Sequence, residues 1–318
     1  MSEGSLKILC FNATSIRGKL HEFNYHFDCY SPDAEYDVVS LTETWLNASV
    51  YDEEILFNSK YNIFRRDRDN AVSKKKDGGG VLLAVNSKFL SKRRQDLETD
   101  IEIIWIECKT GNSRSVFIGT VYLPPKSAVS VLSSFEDSLD RVCNAAGSDD
   151  SIVILGDFNM SDASWKLNDD EGYAFCDNHS EVCHSTSYFL DTVGSNELRQ
   201  HNALPTCNNK PLDLVFTNGL PVSVMYATNP VSSTHNALAV RIAIQCHSKG
   251  KSVSRTTYNF KKADFNVIRR LLACLCWSQL LSLVSANNAL SIFYDIIFAV
   301  LSDGVPLVKI KNCKFPYW

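Results

Sequence analysis

The sequence predicts an α/β protein in which strands dominate, built as two packed sheets with helices outside and followed by a helical tail. Three observations carry that expectation. Short apolar runs rich in β-branched and aromatic residues, each bounded by turn signals, recur through the first 245 residues. One longer stretch, 129–146, repeats its apolar residues at helical spacing instead. The run 237–244 is apolar on one face and small on the other, the pattern of a sheet covered on both sides. A chain of 318 residues, 45% hydrophobic and 21% charged, suits one large globular domain with an appendage, or two domains, rather than a disordered polymer.

Along the chain, LKILCFN (6–12) and DVVSLTE (37–43) are the first strands, with a short helix between Phe23 and Tyr30. GVLLAV (80–85), IIWIECK (103–109) and SVFIGTVYL (115–123) follow. The helix over 129–146 places Val131, Leu132, Phe135, Leu139 and Val142 on one face. SIVILGDFN (151–159), LDLVFTN (212–218), VSVMYA (222–227) and ALAVRIAI (237–244) complete the strands. In the last of them Leu238, Val240, Ile242 and Ile244 share one face, and Ala237, Ala239, Arg241 and Ala243 the other.

After Gln245 the segment CHSKGKSVSRTT is polar, basic and Ser-rich, as linkers are. Helical spacing resumes at Asp264, an N-cap ahead of Val267, Ile268, Leu271, Leu272 and Leu275, and Gly304 with Pro306 marks the stop. Ser and Gln within 271–286, then Asn287-Asn288 and Asp295, deny either arm the roughly 20 clean apolar residues of a membrane span. A helical hairpin without a membrane is expected.

The net charge of −4 excludes a protein that grips nucleic acid by cationic excess alone, and leaves room for a local basic patch or a bound metal. The basic runs Lys74-Lys75-Lys76 and Lys92-Arg93-Arg94 read as solvated loops. Eleven cysteines, an odd and scattered set, together with an N-terminus that lacks a charged segment and a long apolar core, point to a reducing intracellular compartment, nuclear or cytoplasmic, and not to secretion. Cys176, His179, Cys183 and His184 lack a paired CxxC framework and read as reduced cysteines in a loop region rather than zinc ligands.

The informative pattern is the polar residue at each strand end. LKILCFN ends in Asn12, DVVSLTE in Glu43 and GTVYLPP carries Tyr122; IVILGDFN ends in Asp157 and Asn159, Asp213 opens LDLVF, and His235 precedes the final strand. Singly, each has a structural explanation as a turn cap, a solvated acid or a strand-end residue. Together they make coherent chemistry. A hard cation such as Mg²⁺ is held by one or two carboxylates with water and substrate phosphate, which Glu43 with Asn12 or Asp157 can supply. Asp213 can orient His235 and stabilise its protonated form. A Tyr hydroxyl and an Asn amide are donors for a phosphate oxygen whose charge grows in the transition state. The set points to metal-assisted phosphodiester hydrolysis.

The ordered motifs KILCFNATS, SLTETW, GGGVLLAV, GTVYLPP, ILGDFN, LDLVFTN and SSTHNALAV resemble those of the endonuclease/exonuclease/phosphatase superfamily. The wording NATSIRGKL, TETWL and PTCNNKPLDLVFTN is most similar to the endonuclease domain of non-LTR retrotransposons, over residues 5–246. The resemblance implies a four-layered α/β sandwich over 1–247. It also implies that Asn12 and Glu43 hold Mg²⁺ or Mn²⁺, that Tyr122 contacts the scissile phosphate, and that Asp157 with Asn159 positions or activates the attacking water. Asp213 would orient His235, which stabilises the phosphorane. DNA is the implied substrate, nicked to leave a 3′-hydroxyl. Residues 248–318, with YNFKKADF, Trp277, VPL and FPYW, resemble the connector that joins such a domain to a reverse transcriptase, and the chain ends at Trp318 with no polymerase expected.

One position departs from the pattern. The family's last motif reads Ser-Asp-His, whereas this chain has Ser233-Thr234-His235. A Thr hydroxyl hydrogen-bonds but cannot replace an anionic ligand. Three readings follow: a competent or impaired nuclease, a decayed or repurposed fold that binds DNA or a partner, and a phosphatase for a small phosphorylated molecule or phospholipid.

Overall fold

Strands apolar on both faces require cover on both sides, and the first part of the chain supplies it with two sheets and flanking helices. The computed structural model describes residues 4–29, 36–56, 60–68, 78–109, 114–168, 172–244, 256–258, 260–277 and 286–309. Its contacts divide the chain into two units, residues 1–248 and 249–318.

In chain order the first unit begins with β1 (Gly4–Asn12), α1 (Leu20–Cys29), β2 (Val38–Thr42), β3 (Tyr61–Arg66), β4 (Val81–Asn86) and β5 (Leu90–Arg93). It continues with β6 (Glu102–Lys109), β7 (Ser115–Tyr122), α2 (Val129–Ala145), β8 (Ser151–Asp157), β9 (Trp165–Asn168) and β10 (Tyr173–Cys176). It closes with α3 (His184–Ser195), β11 (Arg199–Gln200), β12 (Asp213–Thr217), β13 (Val222–Ala227) and β14 (Ala237–Ile244). One sheet has six strands in the order β13-β14-β1-β2-β4-β3, and the other eight in the order β5-β6-β7-β8-β12-β11-β10-β9. Both are mixed, because β1 with β2 and β7 with β8 run parallel among antiparallel pairs.

Three apolar clusters separate the four layers of this sandwich. Between the sheets, Ile8, Val38, Leu83, Val240 and Ile242 meet Ile104, Ile118, Val153, Leu155 and Val215. Outside the six-stranded sheet, Leu9, Phe11, Val39 and Leu41 pack with Phe23 of α1. Outside the eight-stranded sheet, Leu132, Phe135, Leu139 and Val142 of α2 and Phe189 and Val193 of α3 cover Trp105, Phe117, Ile154 and Phe216. Leu238, Val240, Ile242 and Ile244 of β14 face the inter-sheet cluster, as their alternation requires.

Trp105 shows how closely the outer layer is fitted. It lies opposite Gly119 in the β6–β7 ladder, and a Cβ at Gly119 would fall 2.8 Å from its ring. Its indole Nε1 donates to Ser138 Oγ (2.9 Å), which donates to the Leu97 carbonyl (2.7 Å), so the polar group under α2 is satisfied.

Several elements differ from the sequence-based expectation. The first helix spans Leu20–Cys29 rather than starting at Phe23, and Tyr30 lies outside the described residues. Helix α3 has no counterpart in the periodicity, since its sequence HSTSYFLDTVGS is rich in Ser and Thr and its N-cap Cys183 makes no side-chain cap bond. Burial of Phe189, Leu190 and Val193 overrides that weak propensity. The run Lys92-Arg93-Arg94 is not a solvated loop. Lys92 and Arg93 lie in the edge strand β5, Arg93 pairs with Glu98 (2.8 Å), and Arg94 pairs with Asp96 (2.7 Å) and Glu107 (2.8 Å). Lys74-Lys75-Lys76 falls outside the described residues. Cys176 ends β10 and His184 opens α3, so that cluster is not confined to a loop.

The second unit holds β15 (Thr256–Tyr258), α4 (Phe265–Ala273), α5 (Ala286–Gly304) and β16 (Leu307–Lys309), with β15 and β16 antiparallel. Asp264 caps α4 by accepting from the Asn266 (3.0 Å) and Val267 (3.1 Å) N–H groups. At the end of α5 the chain passes so close to α4 that a Cβ on Gly304 would lie 2.4 Å from Ile268 Cγ1. No helix among the described residues is long and apolar enough to cross a membrane.

Candidate active site

Strand direction decides which side chains meet. β1, β2, β7 and β8 end at one edge of the sandwich, and β12 and β14, antiparallel to β8 and β1, begin there. That edge gathers Asn12, Glu43, Tyr122, Asp157, Asn159, Asp213 and His235.

In the eight-stranded sheet the residues form one row across the ladder. Asp213 lies opposite Asp157, Asp157 opposite Tyr122, and Tyr122 opposite Glu102. Gly156 makes this row possible. Its φ is +145°, and a Cβ there would come within 1.9 Å of the Val121 carbonyl oxygen. Phe158, immediately after Asp157, is fully buried against Phe135, Phe189 and Phe216 and anchors the strand end from the far side.

The six-stranded sheet delivers its groups on loops. Thr14, Ser15, Glu43 and Trp45 have φ of 45°, 77°, 47° and 54°, a left-handed conformation uncommon in non-glycine residues and a recurrent source of local strain at functional sites. Backbone bonds from Ala13 to Thr42 (2.9 Å), Ser15 to Glu43 (2.8 Å) and Ile16 to Thr44 (3.0 Å) hold the two loops side by side.

Asn12 joins the halves. Its Nδ2 donates to Glu43 Oε1 (3.0 Å) on its own sheet and to Asp157 Oδ2 (2.8 Å) on the other. Trp45 Nε1 donates to the second Glu43 oxygen (3.3 Å). His235 Nδ1 lies 2.7 Å from Asp213 Oδ2, which fixes the ring. Asn159 donates its side-chain amide to the Leu123 carbonyl (2.9 Å) and its backbone N–H to Asp157 Oδ1 (3.1 Å). Thr234 is exposed, with its hydroxyl 3.2 Å from that of Thr14. Ser233 beside it donates to the Asn12 carbonyl (2.6 Å) and accepts from the His235 N–H (3.2 Å), so the segment is tied to β1 without a carboxylate.

The floor of the site is buried, with Asn12, Tyr122, Asp157, Asp213 and His235 all shielded from bulk solvent. Burial and the neighbouring Asp213 push Asp157 above the ordinary carboxylate range. Burial, with the negative charges of Glu43 and Asp157, raises the Tyr122 phenol and keeps it a neutral donor. Burial alone would lower His235, but the Asp213 carboxylate outweighs it and the imidazolium is favoured. Asp213 Oδ1 is buried without a hydrogen-bond partner.

This charge pattern fits a bound cation. Asp157, Asp213 and Glu43 crowd one edge with His235 as their nearby cationic counterpart. Among the described residues no group of three or more His, Cys, Asp or Glu is placed to chelate an ion by itself. Glu43 and Asp157 therefore offer a sparse set of oxygen donors, of the kind that suits Mg²⁺ or Mn²⁺ retaining its own waters, while the Asn12 amide turns its NH2 to them and its oxygen to the Thr14 N–H (3.0 Å).

Periodicity and strand ends locate the charged groups but not their supports. Thr14, Trp45, Ser233, Arg68 and Glu102 all touch the site or its immediate neighbours without a signal of their own, except that Trp45 stands two residues beyond Glu43 in SLTETW. Thr206, whose hydroxyl accepts from the N–H groups of Leu212 and Asp213 (both 3.0 Å), sets the entry of β12.

The geometry has counterparts. The sequence model described as the Endonuclease/Exonuclease/phosphatase family matches residues 11–235, an interval that contains every site position from Asn12 to His235. No curated protein matches the chain by sequence. Among solved structures, the endonuclease domain of TRAS1, a telomere-specific non-LTR retrotransposon, is similar at 15% identity and TM-score 0.54, covering 76% of this chain and 99% of that one. The AP endonuclease LMAP from Leishmania major is similar at 13% identity and TM-score 0.56, covering 76% and 88%. The 3′ phosphatase NExo from Neisseria, bound to product DNA hairpin, is similar at 16% identity and TM-score 0.51, covering 74% and 98%. At these identities the likeness is one of fold, while the sequence match spans most of the chain: this protein belongs to the endonuclease/exonuclease/phosphatase family.

Proposed function

We propose that this protein hydrolyses DNA phosphodiester bonds with a divalent cation, nicking one strand to leave a 3′-hydroxyl in the manner of a retrotransposon endonuclease. The observation that carries the reading is the Asn12 amide bridging Glu43 and Asp157 beside the Asp213–His235 pair, which supports a division of labour between a cation-holding side, a water-handling carboxylate and a phosphate-facing imidazolium. Glu43 would hold Mg²⁺ or Mn²⁺, joined by Asn12 once its amide turns toward the site the oxygen that accepts from the Thr14 N–H. When bound, the ion polarises a phosphoryl oxygen and steadies the leaving oxygen.

The chain's own groups do the rest. Asp157 accepts a proton from the attacking water while Asn159, fixed to Leu123, limits where that water can sit. With Nδ1 engaged by Asp213, His235 presents Nε2 to the phosphorane, and its raised proton affinity keeps that nitrogen a donor. Tyr122 donates to a non-bridging oxygen. The likeness to a retrotransposon endonuclease domain, to an AP endonuclease and to a 3′ phosphatase bound to a product DNA hairpin supports DNA as the substrate.

The exposed Thr234 favours a second reading, a fold that binds DNA but has lost cutting, because no carboxylate stands beside His235 on that side. Supercoiled plasmid incubated with Mg²⁺ or Mn²⁺ decides between them. Relaxed circles that fail to form with chelator or with Glu43→Ala support the nuclease. Absence of nicking by the wild type, restored by Thr234→Asp, supports the decayed site. Phosphate release from inositol phosphates with plasmid untouched makes the protein a phosphatase instead.

A further inference from the structure

Arg68 belongs to no motif of the sequence, yet it sits against the site in a pocket made for it. Its side chain is 16% exposed, its Nε donates to Glu102 Oε1 (2.5 Å), and its guanidinium carbon lies 5.7 Å from the centre of the Tyr122 ring. Glu102 is the cross-strand partner of Tyr122 at the end of the β6–β7 ladder. The other Glu102 oxygen accepts from the Gly80 N–H (2.7 Å).

The glycines explain the fit. Gly78, Gly79 and Gly80 have φ of +117°, +66° and +85°, and a Cβ on Gly79 would fall 2.2 Å from the Arg68 guanidinium. Only a residue without a side chain lets the flat cation lie there. The same segment accepts the Trp45 N–H at the Gly79 carbonyl (2.9 Å) and the Thr44 N–H at the Gly80 carbonyl (3.2 Å), so it also supports the loop that carries Glu43. A guanidinium between a glycine backbone and an aromatic ring is held by ring electrostatics and by its flat, forked set of donors, which a lysine ammonium does not reproduce.

We infer that Arg68 is a positioning residue for Tyr122: seated on Gly79 and pinned by Glu102, it fixes the ring so that the hydroxyl meets the scissile phosphate. The inference rests on the phosphodiesterase reading for the role of that hydroxyl, but the clamp itself is independent of it. Arg68→Ala is expected to lower kcat by about 10- to 100-fold with little change in KM, the scale of losing a group that orients a reacting one. Arg68→Lys should recover little of that loss, and Glu102→Gln, which keeps an acceptor for Gly80, should fall between it and wild type.

Two measurements test this. In a double-mutant cycle, removing Arg68 from a Tyr122→Phe background should cost no more than about twofold, because the hydroxyl it positions is gone. An equal loss in both backgrounds overturns the inference and assigns Arg68 to the substrate directly. Fluorine NMR of protein labelled with 3-fluorotyrosine needs no turnover and so separates failure of the clamp from failure of the nuclease reading. The Tyr122 line, identified by its absence in Tyr122→Phe, should broaden or split in Arg68→Ala and Gly79→Ala while the other tyrosine lines keep their positions. A Tyr122 line that stays sharp and unmoved in Arg68→Ala refutes the clamp whether or not DNA is cut.

Discussion

The two sheets contribute to the site by different means. The eight-stranded sheet supplies Tyr122, Asp157 and Asp213 from within its ladder, in one cross-strand row whose spacing is set by backbone hydrogen bonds. The six-stranded sheet ends β1 at Asn12 and then relies on loops, with Glu43 in a left-handed conformation and His235 ahead of β14 held by Asp213 and Ser233. The first half is preorganised by sheet geometry. The second is preorganised by backbone bonds between neighbouring loops together with side-chain bonds, and its precision is open to single substitutions that leave the fold intact.

The largest expected effect comes from the groups both halves share. Glu43→Ala and Asp157→Ala should each lower plasmid nicking by about a thousandfold, the scale of removing a principal electrostatic group from a phosphoryl-transfer site. Thermal melts should separate them. Relief of a buried acid should leave Asp157→Ala at least as stable as wild type without metal, since the raised proton affinity of Asp157 means its ionised form opposes folding at neutral pH. Loss of stability in Asp157→Ala would contradict that assignment.

Next is the row itself. Gly156→Ala forces a Cβ toward the Val121 carbonyl at 1.9 Å, so urea unfolding should show about 3 kcal/mol lost along with the activity. An alanine tolerated there would mean that β7 and β8 can separate without cost and that sheet geometry does not set the row. His235→Gln and Asp213→Asn should each cost about 100-fold, and together little more than either alone, because the pair acts as a unit. Multiplicative losses in single-turnover nicking would separate their roles.

Thr234→Asp should raise activity by about tenfold if the rim of the six-stranded half lacks only a supporting acid. The smallest effect lies away from the site. Burial opposes ionisation of Glu107, but Lys109, Ser115 and Arg94 outweigh it and hold its carboxyl at about 2. A carboxyl depressed in the fold stabilises above its ordinary range and loses that contribution as pH falls toward its folded value. Glu107→Gln should therefore cost about 1 kcal/mol at pH 7 by urea unfolding and converge with wild type at strongly acidic pH, with nicking per folded molecule unchanged.

How much of this was legible depended on the range of the interaction. Asn12, Glu43, Tyr122, Asp157, Asp213 and His235 could be found because each sits beside an apolar run, and the alternation along β14 anticipated the buried face of Leu238, Val240 and Ile242. Elements stabilised by distant contacts were not legible. Helix α3 depends on Phe189 entering a ring cluster with Phe135, Phe158 and Phe216, and β5 is an edge strand just beyond which Arg94 reaches Glu107 of β6 only once the sheet has formed. Arg68 was silent for the same reason. Its partners Glu102, Gly79 and Tyr122 are brought to it by β6, the approach to β4, and β7, and a basic residue in RRDRDN gives no hint of them.

In the proposed reading, two differently built halves form one metal-dependent hydrolytic site. Its most direct test is single-turnover nicking of supercoiled plasmid in Mg²⁺ or Mn²⁺ by wild type, Glu43→Ala, Asp157→Ala and the double variant. One shared site predicts metal-dependent nicking by the wild type, near-complete loss in each single variant and no further loss in the double. Nicking that survives Asp157→Ala, or that proceeds in the wild type without a divalent cation, would contradict it.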